Sequence, residues 1–244
     1  MRVLILGGTG EARELAALLH RDNVAVISSL AGRVARPRLP VGEVRVGGFG
    51  GPAKLAEWLT RERIGCVVDA THPFAERISA SVAQAAGRAG VPLLRLARPG
   101  WSERPGDRWI WADDLDAAAA QIPSLGSRVL LTTGRQGLAA FADGDAFFLV
   151  RCVDPPEPPL PRDHELLLDR GPYTLAGELE LIDRHRLDVV VTKDSGGRLT
   201  EAKLDAARAR DLPVIVVRRP PSPAGVQAVE SVAEAHAWVF DAAG

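Results

Sequence analysis

The sequence predicts an α/β protein built from two doubly wound parallel-sheet domains related by an internal pseudo-repeat. Three observations carry that expectation. Short β-branched runs alternate with helical apolar spacing along the chain, the signature of βαβ units with helices on both faces of a sheet. Stretches of the first half return in the second half in the same order. At 244 residues, 46% of them hydrophobic, each half can bury a core of its own.

The repeat justifies the elements in turn. "RVLILGGTGEARELA" from Arg2 matches "RVLLTTGRQGLAAFA" from Arg128, each reading as strand, polar turn and helix. "GPAKLAEWLTRERIGCVVDATHP" from Gly51 matches "GPYTLAGELELIDRHRLDVVVTKDSGG" from Gly171, each a Pro-started helix, a buried strand and a polar loop. "GVPLLRLARP" and "DLPVIVVRRP" follow as strands, ending at Pro99 and Pro220. "WIWADDLDAAAAQI" and "VQAVESVAEAHAWV" then close each half as a short strand feeding a capped helix. The expected domains are 1–125 and 126–244, both Rossmann-like. Two such similar halves can exchange an element, and periodicity leaves open which strands pair at the sheet edges. The Pro-rich tract at 154–168 has no counterpart and reads as neither regular helix nor central strand; it is a rigid linker or a loop that moves over a site.

Composition excludes several classes. A formal net charge of -1 and a pI near 6.5 provide no general positive field, so nucleic acid is not an expected partner. The apolar run at 3–6 is too short for a signal segment or a membrane span, which points to a cytoplasmic protein with no membrane association. Cys66 and Cys152 stand far apart inside strand-like runs and suggest buried thiols; no metal site is expected. Only Lys54, Lys193 and Lys203 are lysines among 30 basic residues, so the close pair Lys193 and Lys203 stands out.

In an open parallel sheet, ligands lie beyond the carboxyl ends of the strands, and that rule selects the loops to read. Gly7, Gly8, Thr9 and Gly10 form either a plain tight turn or a diphosphate cradle at a helix N-terminus. After the second strand come Ser28, Ser29, Gly32, Arg33, Arg36 and Arg38, with no acidic residue before Glu43. A 2′-phosphate suits that loop better than a bare ribose, so NADP is favoured over NAD, with Arg33 as its first partner. "DATHPFAER" brings Asp69, Thr71 and His72 to a position bordering a nicotinamide. Asp69 caps the next helix or faces the ligand, and His72 binds a carboxylate or moves a proton. In the second half "TTGRQ" and "TKDSGGRLTEAK" offer cations and glycines suited to carboxylates or phosphates. No Tyr-x-x-x-Lys pair or G-x-S-x-G elbow occurs.

On "LILGGTGEARELA", "DATHPFA", "TTGRQ" and "VTKDSGG", continued by "EAKLDAARARDLPVIVVRRP" after the loop, the chain resembles the precorrin-6A reductase family of cobalamin biosynthesis. The resemblance spans essentially the whole chain, and "DATHPFA" with "TKDSGG" is more specific than the glycine turn. It implies an NAD(P)H-dependent oxidoreductase acting on a CH–CH group, converting precorrin-6A to precorrin-6B with no metal or flavin of its own, and the loop after the second strand makes NADPH the expected coenzyme. It also implies hand-over to the next pathway enzyme. A cobalt-precorrin-6A reductase, or a nucleotide-responsive binding module without redox activity, are the alternatives. On this resemblance Gly8, Thr9, Gly10 and Glu11 border the coenzyme diphosphate or ribose, Ser29 and Arg33 its adenosine phosphate, and Asp69, Thr71 and His72 the nicotinamide. Arg13, His72, Arg135, Gln136, Lys193, Ser195, Gly196, Gly197 and Lys203 hold the tetrapyrrole carboxylates, in a cleft between the domains. His72 doubles as proton donor or orienting group.

Overall fold

The computed structural model describes residues 1–32 and 38–242. The first half runs β1 (Arg2–Leu6), α1 (Gly10–Arg21), β2 (Ala25–Leu30), β3 (Glu43–Val46), α2 (Pro52–Arg61), β4 (Cys66–Asp69), α3 (Glu76–Ala89) and β5 (Leu93–Leu96). It continues through β6 (Arg108–Ala112), α4 (Leu115–Gln121), β7 (Arg128–Leu131), β8 (Phe147–Cys152) and β9 (Asp163–Leu168). The chain ends with α5 (Leu175–His185), β10 (Val189–Lys193), α6 (Ala202–Ala209), β11 (Pro213–Val217), β12 (Gln227–Val229) and α7 (Val232–Asp241).

These strands form two parallel six-stranded sheets, ordered β12-β5-β4-β1-β2-β3 and β6-β11-β10-β7-β8-β9. Each reproduces the doubly wound order outward from its first strand. The sixth strand, however, comes from the other half of the sequence. β6 follows β5 in the chain yet pairs with β11, and β12 follows β11 yet pairs with β5.

The compact units are accordingly Met1–Pro99 with Pro220–Gly244, and Gly100–Arg219, which corrects the expected division at 125/126. The physical reason is that β6 with α4 and β12 with α7 carry the same pattern, a strand feeding a side-chain-capped helix, so either fits either sheet edge.

Alternation explains the packing of the first unit. Val3 and Ile5 of β1 meet Leu15, Leu19, Ala235 and Val239 of α1 and α7. Leu4 and Leu6 face the other way, onto Leu55, Leu59 and Val82 of α2 and α3. In the second unit Leu130, Val190 and Val214 pack on Ile182 and Leu204 of α5 and α6.

Two local expectations change. The "TTGRQ" turn is followed by a 3-10 turn, Leu138–Phe141, instead of a counterpart to α1. Gly137 precedes that turn at φ 90, where a side chain would collide with Leu115. Helix α5 is capped by Thr174, whose Oγ1 accepts from Gly177 N at 3.2 Å, so Pro172 lies ahead of the helix and does not start it. β9, at the end of the Pro-rich tract, is an edge strand, where the five prolines ahead of it interrupt no ladder.

Candidate functional site

The turn after β1 is held by main-chain and hydroxyl bonds. Gly7 N donates to Ser29 O at 2.9 Å, which pins the turn to the end of β2. Gly8 has φ 117, and a Cβ there would meet nothing within 4 Å, so the backbone faces open space that a ligand can approach closely. Thr9 is the N-cap of α1: its Oγ1 accepts from Ala12 N at 3.1 Å and donates to Ala70 O at 2.7 Å. Its hydroxyl therefore ties the β1 turn to the β4 loop and is not spare for a ligand. Gly10 opens α1, whose positive end points out of this turn. Glu11 is paired with Arg98 at 2.8 Å.

Beside this turn lies an open pocket of about 210 Å³, lined by Gly7, Gly8, Ala12, Arg13, Ser28, Leu30, Arg38 and Pro40. Among the described residues two guanidinium side chains line it and no carboxylate does. Ser28 Oγ is buried there without a hydrogen-bond partner among the described residues. An unsatisfied buried hydroxyl costs free energy that an acceptor in the pocket would recover. The donor set fits a phosphate-bearing ribonucleoside, with the glycine turn and helix end supplying amides for a diphosphate. Arg13, expected on the substrate side, lines this pocket. Ser29 points to the other face of the strand, within 3.5 Å of Arg45 Nη1. Arg45 stacks 3.7 Å from the Phe49 ring centroid and donates to Gly47 O and Gly48 O. Arg33 and Arg36 lie outside the described residues.

The loop after β4 rests on a buried network. Asp69 Oδ1 accepts from Thr71 N at 3.1 Å and Thr71 Oγ1 at 2.7 Å, while Oδ2 accepts from Arg95. Arg95 also donates to Ser79 Oγ on α3. Asp69 and Arg95 are 2% and 5% exposed, so Asp69 supports the loop from beneath. It does not cap α3, whose N-cap is Ala75 with no side-chain bond. His72 is exposed, and its Nδ1 accepts from Phe74 N at 3.3 Å, so the neutral ring carries its proton on Nε2.

In the second unit the loops after β7 and β10 gather Arg135 and Gln136, and Lys193, Ser195, Gly196 and Gly197, at the carboxyl end of one sheet. Lys193 is half-buried, and burial pulls its pKa below the ordinary lysine value. Ser195 N donates to Lys193 O at 2.7 Å, curling the loop back on the strand. Lys203 is different: it is 3% exposed, donates to Thr200 O, and lies 4.5 Å from the Trp101 ring centroid. Burial pushes its pKa down to about 7. The expectation that Lys203 grips a substrate carboxylate is corrected, since its ammonium is enclosed by protein.

Sequence reasoning gave no role of their own to several residues around these sites. Ser28 was legible as a polar residue in a strand of buried residues. Arg219 anchors the β10 loop, its Nε 2.8 Å from Asp194 O and 3.1 Å from Asp194 Oδ2. Arg151, 6% exposed, pairs with Glu178 at 2.6 Å and lies 3.9 Å from the Tyr173 ring centroid. Among the described residues no group of three or more His, Cys, Asp or Glu could hold a metal ion, and no helix is long and apolar enough to cross a membrane.

Comparison with known proteins gives consistent matches over the full length. The family model for "Precorrin-6x reductase CbiJ/CobK" matches residues 2–240. A precorrin-6A reductase of Rhodococcus erythropolis is 55% identical over 240 residues, covering 98% of this chain and 97% of that relative. A cobalt-precorrin-6A reductase of Salmonella typhimurium is 32% identical over 250 residues, covering 95% and 92%. A solved structure of CobK precorrin-6A reductase superposes with a TM-score of 0.93 at 41% identity, over 99% of this chain and 97% of that one.

Proposed function

The chain belongs to the precorrin-6x reductase family, and on that premise we propose that it reduces a ring double bond of precorrin-6A with NADPH, giving precorrin-6B in cobalamin biosynthesis. The observation that carries the coenzyme choice is the pocket beside the β1 turn, with Arg13, Arg38 and the unpartnered Ser28 hydroxyl on its wall. Those groups take the 2′-phosphate, with Arg33 as a further candidate from the loop after β2. The backbone of Gly8 to Gly10 and the first turn of α1, with Glu11 beside it, take the diphosphate and its ribose.

When bound, the reduced nicotinamide supplies a hydride to one carbon of the macrocycle. The chain's part is to bind, orient and protonate. Thr71, held by Asp69, and His72 border the reacting ring in this reading, and His72 orients the substrate or delivers the proton to the neighbouring carbon. Arg135, Gln136, Lys193 and the amides of Ser195, Gly196 and Gly197 hold the acetate and propionate carboxylates. Most of the rate gain comes from holding donor and acceptor in register. The cobalt-free substrate is favoured because relatives named precorrin-6A reductase are 44–55% identical, against 27–32% for those named for the cobalt form.

The test is an anaerobic assay of NADPH oxidation with and without precorrin-6A, beside titrations of NADPH and NADH. Substrate-dependent oxidation and tighter NADPH binding are expected. Equal affinity for the two coenzymes would remove the 2′-phosphate assignment. Binding of NADPH without any oxidation would leave the nucleotide-responsive module as the better reading.

A further inference from the structure

From the buried network beneath the β4 loop, we infer that Arg95 is a positioning residue for the reduction: it orients Asp69, and through Asp69 it fixes Thr71 and the start of the His72 loop. The inference rests on the proposed placement of the nicotinamide beside that loop.

The internal repeat supplies a control for what the fold itself requires. β4 pairs β5 with Asp69 opposite Arg95. In the sister sheet the equivalent strands are β10 and β11, aligned through Val3↔Cys66 in one and Val189↔Val129 in the other. The same register position there is Thr192 opposite Val216. That uncharged pair is just as buried, at 2% and 0%. The doubly wound sheet therefore closes without an ion pair at this place.

Energetics point the same way. A buried ion pair is a weak source of stability compared with apolar packing. Arg95 moreover stands among Leu93, Leu94 and Leu96 and leaves its Nε buried without a partner among the described residues. A charge retained at such a cost calls for a role beyond packing.

The geometry supplies that role. One Arg95 nitrogen, Nη1, donates to Asp69 Oδ2 and to Ser79 Oγ, bridging β4 to α3. With Oδ2 committed, Oδ1 is aimed at both donors of Thr71. The neighbouring Ala70 is fixed by Leu6 O at 2.9 Å and by the Thr9 hydroxyl at 2.7 Å. The loop that borders the reacting ring is thus locked, through one residue, to the turn that holds the diphosphate.

The experiment compares Arg95→Met, Arg95→Lys and Ser79→Ala with the wild type in the anaerobic NADPH and precorrin-6A assay. It reads kcat, both KM values, the deuterium isotope effect with 4-deuterated NADPH, and the melting temperature. For Arg95→Met, kcat is expected to fall about tenfold or more, KM for either ligand to move less than about threefold, and the isotope effect to rise. Arg95→Lys, which keeps a cation for Asp69 on a shorter side chain without the planar guanidinium, is expected to recover part of kcat, and Ser79→Ala to lose about two- to fivefold.

A folded Arg95→Met protein with wild-type kcat overturns the proposal, as does a rise in KM for NADPH at unchanged kcat. If Arg95→Met does not fold, the Lys and Ala variants decide: wild-type kcat in both overturns it. Thr71→Val and His72→Ala report on the parent reading. Should neither change any constant, the nicotinamide does not lie at this loop, and the fault is in that placement and not in the role of Arg95 within the network.

Discussion

Ser28 and Ser29 are neighbours on β2, yet only Ser28 lines the pocket, because consecutive side chains of a strand point to opposite faces. Removing its hydroxyl or the Arg38 guanidinium should therefore act on the 2′-phosphate. Ser28→Ala is expected to weaken NADPH a few-fold and Arg38→Ala roughly tenfold or more, with NADH little changed, as read by equilibrium titration. Lys203 carries a pH signature instead. Its pKa in the fold is about 7 against an ordinary value of 10.5, so between those values the unfolded chain binds the extra proton and stability rises with pH. Below pH 7 both states are charged and the burial cost is fully present. Lys203→Met should accordingly stabilise the protein most in acid, by about 1.4 kcal/mol for each unit of the depression, with the gain shrinking as pH climbs toward 10.5. Denaturant melts of both proteins at several pH values check this. Gly8 and Thr9 were legible in sequence because a glycine turn entering a helix announces itself locally. Arg95 was not, because a lone arginine in "PLLRLA" looks the same whether it faces water or a buried aspartate.

At the level of elements, strands and helices follow apolar periodicity closely enough that every repeat pair was placed in order, α1 against a 3-10 turn being the exception. The exchange of β6 and β12 was not legible, since two segments with the same pattern present the same edge and the same cap to either sheet. It has a measurable consequence. A fragment 1–125 lacks β12 and α7, leaving the edge of β5 unpaired and the Leu15 and Leu19 face of α1 uncovered. It is expected to aggregate or remain loosely packed by near-UV circular dichroism. Linking 220–244 after 1–99 should restore a cooperative melt, and a fully folded 1–125 fragment would contradict the exchange. Within the restored core, Leu15→Ala should cost about 2–5 kcal/mol.

For the whole molecule, one doubly wound design recurs in both units with different residues at its strand ends. In the first unit a small serine and a glycine turn leave room for a nucleotide. In the second, Val150 fills the position equivalent to Ser28 and offers no hydroxyl, while the loops after β7 and β10 carry Arg135 and Lys193. In the proposed reading the coenzyme belongs to the first unit and the carboxylates of the macrocycle to the second. The most direct check is steady-state kinetics of Arg38→Ala and Lys193→Ala with NADPH and precorrin-6A under anaerobic conditions. Arg38→Ala should raise KM for NADPH alone, and Lys193→Ala should raise KM for precorrin-6A alone, each by roughly tenfold. Loss of NADPH affinity in Lys193→Ala, with Arg38→Ala unchanged, would contradict it.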